Sequence, residues 1–218
     1  MFGAVLLAVP GALSRAAMDR ATHLRAAGEL APALDAARWG ERLAPWSMSA
    51  ALLAESLRYL NGEPAAEVGE RLIELAEAAP QDPRPLERAV WLLERHASDE
   101  PKGWVAIAQL RTELVRRDPT HALLYDALGQ AHARARNSEA ARTAYEQAIG
   151  VEPHCATALA HMALLAHDRG DPDTAALLAA RAWQAHAQSR YWYGHGRAVL
   201  SLSPGLQTML EQHGYPSP

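Results

Sequence analysis

The sequence predicts an all-α fold: a solenoid of about five helical hairpins stacked in chain order, with a cap at the C-terminal end. Three observations predict it. The first is a period of 34 residues: Met162-Ala163 answers Leu128-Gly129, while Ala175, Ala179 and Ala182 answer Ala141, Tyr145 and Ala148. A fixed period of about this length, with small residues where helices touch, marks stacked hairpins that cannot bury their apolar faces alone. The second is turn chemistry that recurs with the repeat. The third is composition: 49% of the 218 residues are hydrophobic, mostly Ala and Leu with a single Phe (Phe2). Ala and Leu are strong helix formers and β-branched residues are sparse, which favours closely packed helices over sheets.

The elements follow in order. Met1 to Ser14 carry no side-chain charge and include Val5-Leu6-Leu7-Ala8-Val9. The run is shorter than the ~20 residues a helix needs to span a bilayer, lacks the basic start of a secretory signal, and is expected to break at Pro10-Gly11. Residues 1–13 read as an apolar lead-in packed on the first helix. The sharper alternative is the end of a membrane helix that begins outside the chain, with Arg15, Asp19 and Arg20 marking its exit into water. This segment is the one candidate for membrane contact. It leaves localisation open: cytoplasmic for a complete chain, membrane-tethered for a truncated helix.

The repeat array occupies 14–189, with hairpins at about 14–47, 48–82, 83–121, 122–155 and 156–189. Gly28-Glu29, Gly62-Glu63 and Gly170-Asp171 sit between Ala/Leu-rich stretches of helical length. Glycine there takes the left-handed conformation that ends a helix, and the acid suits the start of the next. Asn137 is expected to take the glycine's role after Arg136, since Asn tolerates positive φ best after Gly. Pro45, Pro80, Pro119 and Pro153 close successive units at intervals of 35, 39 and 34 residues. The long interval contains Asp99-Glu100-Pro101-Lys102-Gly103, a lengthened turn between paired helices. In the fourth hairpin, Leu124, Tyr125, Leu128 and His132 share one face, and Ala141, Ala144, Tyr145 and Ala148 another. Small Gly129, Ala141 and Ala148 let backbones approach, and the tyrosines fill the remaining volume. Residues 190–218 form the cap: Tyr191-Trp192-Tyr193 opens it, Ser203-Pro204 starts a short helix carrying Leu206, Met209 and Leu210, Gly214 stops it, and the last four residues are loose.

Little in the chain points to catalysis. A formal charge of −4 with no Lys/Arg block argues against general nucleic-acid binding. The single Cys155 excludes an internal disulfide and a cysteine-cluster metal site. Among ten histidines none forms His-Glu-x-x-His, and His161 and His167 fall on different faces of a helix. His132 reads as a core histidine with one bonded nitrogen. His154-Cys155 lies at a turn with no third group to orient a base. Tyr193-Gly194-His195-Gly196 lacks the strand-to-helix setting of a nucleophile elbow and reads as a turn. Glu74 and Glu77 are solvated surface carboxylates. No catalytic residue, cofactor or metal is expected. Trp183 reads as core, and Trp91, Trp104 and Trp192 fit either core or interaction surface.

The fourth unit carries a family resemblance. Leu123 to His132, then Ala140 to Ala148, ending Glu152-Pro153, closely resembles a tetratricopeptide (TPR) repeat. The fifth is also good, with Ala187 where a closing proline usually stands. Units one and two match at the turn glycine and closing proline, and the third is degenerate at Arg111 and Leu114. The resemblance implies a right-handed superhelix whose first helices line a concave groove for a protein or peptide partner. Its groove positions fall on Asp126, Gln130, Ala133 and Arg134, then Ala160, His161, Leu164, His167 and Asp168. The Lys/Asn/Arg clamp with which chaperone-tail-binding members hold a terminal carboxylate is absent, since Asp126, Gln130, Ala160 and Leu164 stand there. A second resemblance, carried by Arg15-Ala16-Ala17, Gly28, Ala33-Leu34, Ala36-Ala37 and Leu43-Ala44-Pro45-Trp46, is to the soluble tail of bacterial O-antigen ligase-like membrane glycan polymerases. The resulting expectation is a non-catalytic scaffold binding a protein partner, with the polymerase tail as the alternative.

Overall fold

The computed structural model describes the backbone of residues 2–192 and the side chains of residues 10–185. Among the described residues there are ten helices and no strand. They are α1 (Phe2–Ala26), α2 (Leu30–Leu43), α3 (Met48–Leu60), α4 (Ala65–Ala78), α5 (Arg84–His96), α6 (Pro101–Arg117), α7 (Ala122–Arg134), α8 (Ser138–Val151), α9 (Ala156–Asp168) and α10 (Pro172–Trp192). The chain divides into two compact units, Met1–His96 and Ala97–Pro218, so the division falls between α5 and α6.

The short turns follow one plan. Gly28, Gly62 and Gly170 have φ of 82°, 92° and 77°. Each is followed by a residue whose N–H reaches back to the helix just ended: Glu29 to Leu24 O, Glu63 to Arg58 O and Asp171 to Ala166 O, at 2.9–3.1 Å. This is the paired-bond stop in which a left-handed residue lets two late carbonyls be satisfied. The same bonds occur at Arg136 and Asn137, but the left-handed residue is Arg136, with φ of 60°, and not Asn137. Asn137 lies at φ −102° and caps α8 instead, its side chain accepting from Ala140 N at 3.2 Å. Counting 34 back from Gly170 lands on Arg136, so Asn137 occupies the capping position that Asp171 fills in the next unit. Short oxygen-bearing side chains are worth more at the cap than in the left-handed slot.

The second helices stop differently. Ala44, Ala79, Asp118 and Glu152 each precede a proline and have φ between −132° and −140°. A proline's ring pushes the residue before it out of the helical region, and these residues obey. The turn between α5 and α6 is shorter than the sequence suggests. Pro101, Lys102 and Gly103 lie inside α6, because proline suits the first turn of a helix where its missing N–H is not needed. Trp104 Nε1 donates to Ser98 O at 3.0 Å and ties the turn down.

Two further corrections concern the ends. α1 runs unbroken through Pro10 and Gly11. A single proline removes one hydrogen bond, and the Ala/Leu-rich sequence on both sides carries the helix past it. α10 continues to Trp192, so Tyr191-Trp192 do not open a separate segment. The expected Tyr193–Gly196 turn, the helix from Ser203 to Gly214 and the loose last residues lie outside the described residues.

The interiors are built largely of alanine. In the first unit Ala21, Ala33, Leu34, Ala37, Ala54 and Leu57 pack α1, α2 and α3 together, and Leu52, Val68, Leu72, Ala89 and Leu92 join α3, α4 and α5. In the second unit Ala122, Ala141, Tyr145, Ala148, Cys155 and Ala158 join α7, α8 and α9, and Leu159, Ala163, Ala175, Ala179 and Ala182 join α9 and α10, with Trp183 packed against them. Gly129 has a specific reason. A Cβ there would stand 2.5 Å from Tyr145 Cδ1, so the ring of α8 occupies the space a side chain on α7 would need.

Candidate partner-binding site

The residues expected to face a groove divide into three groups. Asp126, Gln130 and His161 come together. Asp126 is buried rather than open to solvent, because its carboxylate turns toward α9. Its Oδ1 lies 2.9 Å from His161 Nδ1, and its Oδ2 accepts from Gln130 Nε2 at 3.1 Å. A buried carboxylate without partners would cost several kcal/mol, and here two partners, one on each oxygen, offset that. They come from residue i+4 on its own helix and from the neighbouring first helix, which α7 adjoins. The His161 ring also stacks on Tyr145, with centroids 5.4 Å apart and planes at 15°. Burial, and then the Asp126 charge, pushes the Tyr145 hydroxyl well above the usual phenol range. Bonding at Nδ1 orients the imidazole and leaves Nε2 as its second polar atom.

Arg134 forms the second group. It is exposed, and its guanidinium lies 4.3 Å from the centroid of the buried Trp104 ring. A cation over an indole face is held electrostatically, so Arg134 is directed toward α6. Trp104 is therefore packed and hydrogen-bonded, whereas Trp91 is exposed with Arg95 over its ring at 5.6 Å. The third group is spread along α9. His167 and Asp168 are exposed at its C-terminal end, Ala160 is buried, and Leu164 packs against the α9/α10 core.

Cys155 is buried ahead of α9, with Sγ 3.5 Å from Thr157 Oγ1, and burial raises its thiol pKa. That is the opposite of an activated thiolate. His132 is half-buried, its pKa is lowered by burial, and no hydrogen bond to its ring exists among the described residues. The expected bonded nitrogen is absent because the ring still reaches water. Among the described residues no group of three or more His, Cys, Asp or Glu could hold a metal.

Sequence reasoning missed one buried polar centre entirely. Glu55 on α3 is only 3% exposed. It pairs with Arg58 on its own helix and with Arg71 Nε of α4 at 2.9 Å. Arg71 also meets Glu63, and the network extends from Arg58 to Glu41 and from Arg38 to Glu63, both at 3.7 Å. The available signal was the repeat itself: Glu55 lies 34 after Ala21, and Arg71 lies 34 after Ala37, both buried alanines.

A helical-repeat fold of the TPR type is the class that this architecture defines. No family model matches the chain, and no curated protein does. Solved structures do. The chain is similar to the MamA protein, with a TM-score of 0.64 at 16% identity over 85% of this chain and 98% of that one. It is similar to a tetratricopeptide repeat protein from Parabacteroides merdae, with a TM-score of 0.64 at 15% identity over 93% of this chain and 75% of that one. It is also similar to YrrB, a TPR protein described as having an unusual peptide-binding site, with a TM-score of 0.58 at 13% identity over 82% and 91%. At these identities the likeness is one of fold. None of these three structures is described as a glycan polymerase.

Proposed function

We propose that the chain is a non-catalytic scaffold that binds a protein or peptide segment on the joined face of α7 and α9. The observation that carries this reading is the Asp126–His161–Gln130 cluster. The buried Glu55 of the second hairpin is matched by arginines within that hairpin, whereas the buried Asp126 orients an imidazole on the neighbouring first helix and a carboxamide on its own. Fixed polar side chains on rigid helices suit recognition, since little freedom is lost when a partner docks. His167 and Asp168 at the end of α9 extend the same surface with exposed polar groups. The peptide-binding site ascribed to YrrB, which shares the fold, supports the same reading.

Peptides selected against the chain from a random display library test it. His161→Ala and Asp168→Arg should each weaken the selected peptides about tenfold or more. Arg142→Glu, on the exposed side of α8, should leave affinity unchanged. Peptides indifferent to both α9 substitutions would place the binding surface elsewhere. Charge reversal at Asp126 is a poor probe, because a buried cation beside His161 would unfold the hairpins before it reported on binding.

A further inference from the structure

The first hairpin ends in a surface that the α7/α9 site does not use. α1 and α2 run antiparallel: Ser14 Oγ donates to Gly40 O at 2.7 Å, and Ala21 shares a core with Ala33 and Ala37. That register sets Leu43, the last residue of α2, level with about residue 11 of α1. α1 begins at Phe2, so its first eight or so residues run past the end of α2, about 12 Å of helix at ~1.5 Å per residue. No residue before Arg15 carries a side-chain charge.

Three large apolar side chains stand exposed at this same end: Leu13 at 51%, Trp39 at 57% and Trp46, in the turn after α2, at 60%. Two arginines stand at the same end of the hairpin. Arg15 and Arg42 are exposed and make no ion pair among the described residues, whereas Glu41, the acid between Trp39 and Arg42, is held by Arg58 at 3.7 Å. Asp19 and Asp35 sit about a turn or more further from the end, Asp35 within 4.0 Å of Arg38.

We propose that this end of the first hairpin anchors the protein on an anionic phospholipid surface. The uncharged start of α1 enters one leaflet, Trp39 and Trp46 lie at the headgroup level, and Arg15 and Arg42 meet lipid phosphates. Indoles favour this boundary because they join a broad apolar ring to one N–H donor. Guanidinium groups bind phosphate through two parallel hydrogen bonds. No helix of the described residues is long and apolar enough to cross a membrane. Arginines that make no ion pair among the described residues, at the same end as the apolar side chains, favour an anionic surface over a second copy of the chain, which would bring these like charges together.

Co-sedimentation of the whole chain with vesicles of phosphatidylcholine, with and without phosphatidylglycerol, tests this. The chain should pellet with phosphatidylglycerol vesicles, and the Trp39→Ser/Trp46→Ser variant should bind roughly tenfold more weakly. Arg15→Gln and Arg42→Gln should each weaken binding about fivefold on phosphatidylglycerol vesicles and leave phosphatidylcholine binding nearly unchanged. All these side chains are exposed, so the helical circular dichroism of the variants should match the parent. Failure of the parent chain to pellet, or pelleting untouched by the tryptophan variant, overturns the proposal. So does a dimer in solution that the tryptophan variant dissociates while vesicles bind neither form, which would assign the patch to a second copy.

Discussion

The second and fourth hairpins fill the same slot with opposite chemistry. In the fourth, Gly129 on α7 faces Tyr145 on α8, sixteen residues later. In the second, Glu55 on α3 faces Arg71 on α4, again sixteen residues later and 74 before the first pair. One contact is an absence of side chain filled by an aromatic ring; the other is a buried carboxylate answered by a guanidinium. The first and fifth hairpins place Ala21/Ala37 and Ala163/Ala179 there, all four fully buried. The lesson is that the repeat specifies a paired volume, and it accepts any two side chains that fill it and satisfy each other. The two solutions differ in how they fail. An ion pair loses its compensation when either partner goes, whereas a ring against a glycine tolerates shrinkage better than growth.

The largest expected effect follows from the ion pair. Arg71→Leu should destabilise the first unit by about 3 kcal/mol, because it removes one of the two guanidinium partners of the buried Glu55 side chain. Chemical denaturation reads this directly. Transplanting the fourth hairpin's solution, Glu55→Gly with Arg71→Tyr, should recover much of that loss; a double variant no better than Arg71→Leu would break the equivalence of the two slots. Gly129→Ala comes next, at ~1–3 kcal/mol, since the new methyl must displace the Tyr145 ring. Combining it with Tyr145→Leu should cost less than the sum of the two single changes, and strict additivity would show that the residues do not share a volume.

Arg136→Gly is smaller and of opposite sign. The residue stands at φ 60° where the equivalent turns carry glycine, so the substitution should stabilise the fourth hairpin by up to about 1 kcal/mol, seen as a raised Tm. Smallest is a pH effect. Hydrogen bonds from Arg116 and then Arg117 pull the Glu113 carboxyl down to about 2. A carboxyl depressed in the folded state adds stability above its unfolded pKa, and that stability is lost as pH falls from about 4.5 toward about 2. Much of the group is open to solvent, so screening holds the contribution to ~1 kcal/mol or less. Glu113→Gln should flatten that part of the stability profile, and an unchanged slope would assign acid unfolding to other carboxylates.

Much of this was legible in the sequence where the controlling interactions are local. Gly28, Gly62 and Gly170 adopt positive φ, and Ala44, Ala79, Asp118 and Glu152 are turned extended by the prolines that follow. Steric limits on one or two residues set both features. Arg136 was misassigned for a local reason too: propensity pointed to Asn137, while the 34-residue register pointed one position earlier.

The candidate site was legible only in part. Helical periodicity put Asp126, Gln130 and His161 on adjoining first helices, but nothing in the linear pattern separates an acid facing water from one facing the next hairpin. That choice depends on which donors a neighbour thirty-five residues away brings within 2.9 Å. The same holds for Arg134, turned onto Trp104, and for Glu55, answered across the hairpin by Arg71. The sequence by itself determined the helices, their stops and the all-α repeat, because each rests on backbone sterics and spacing within a few turns. Only the tertiary structure decided which polar groups are buried, since desolvation and its compensation are properties of two helices together.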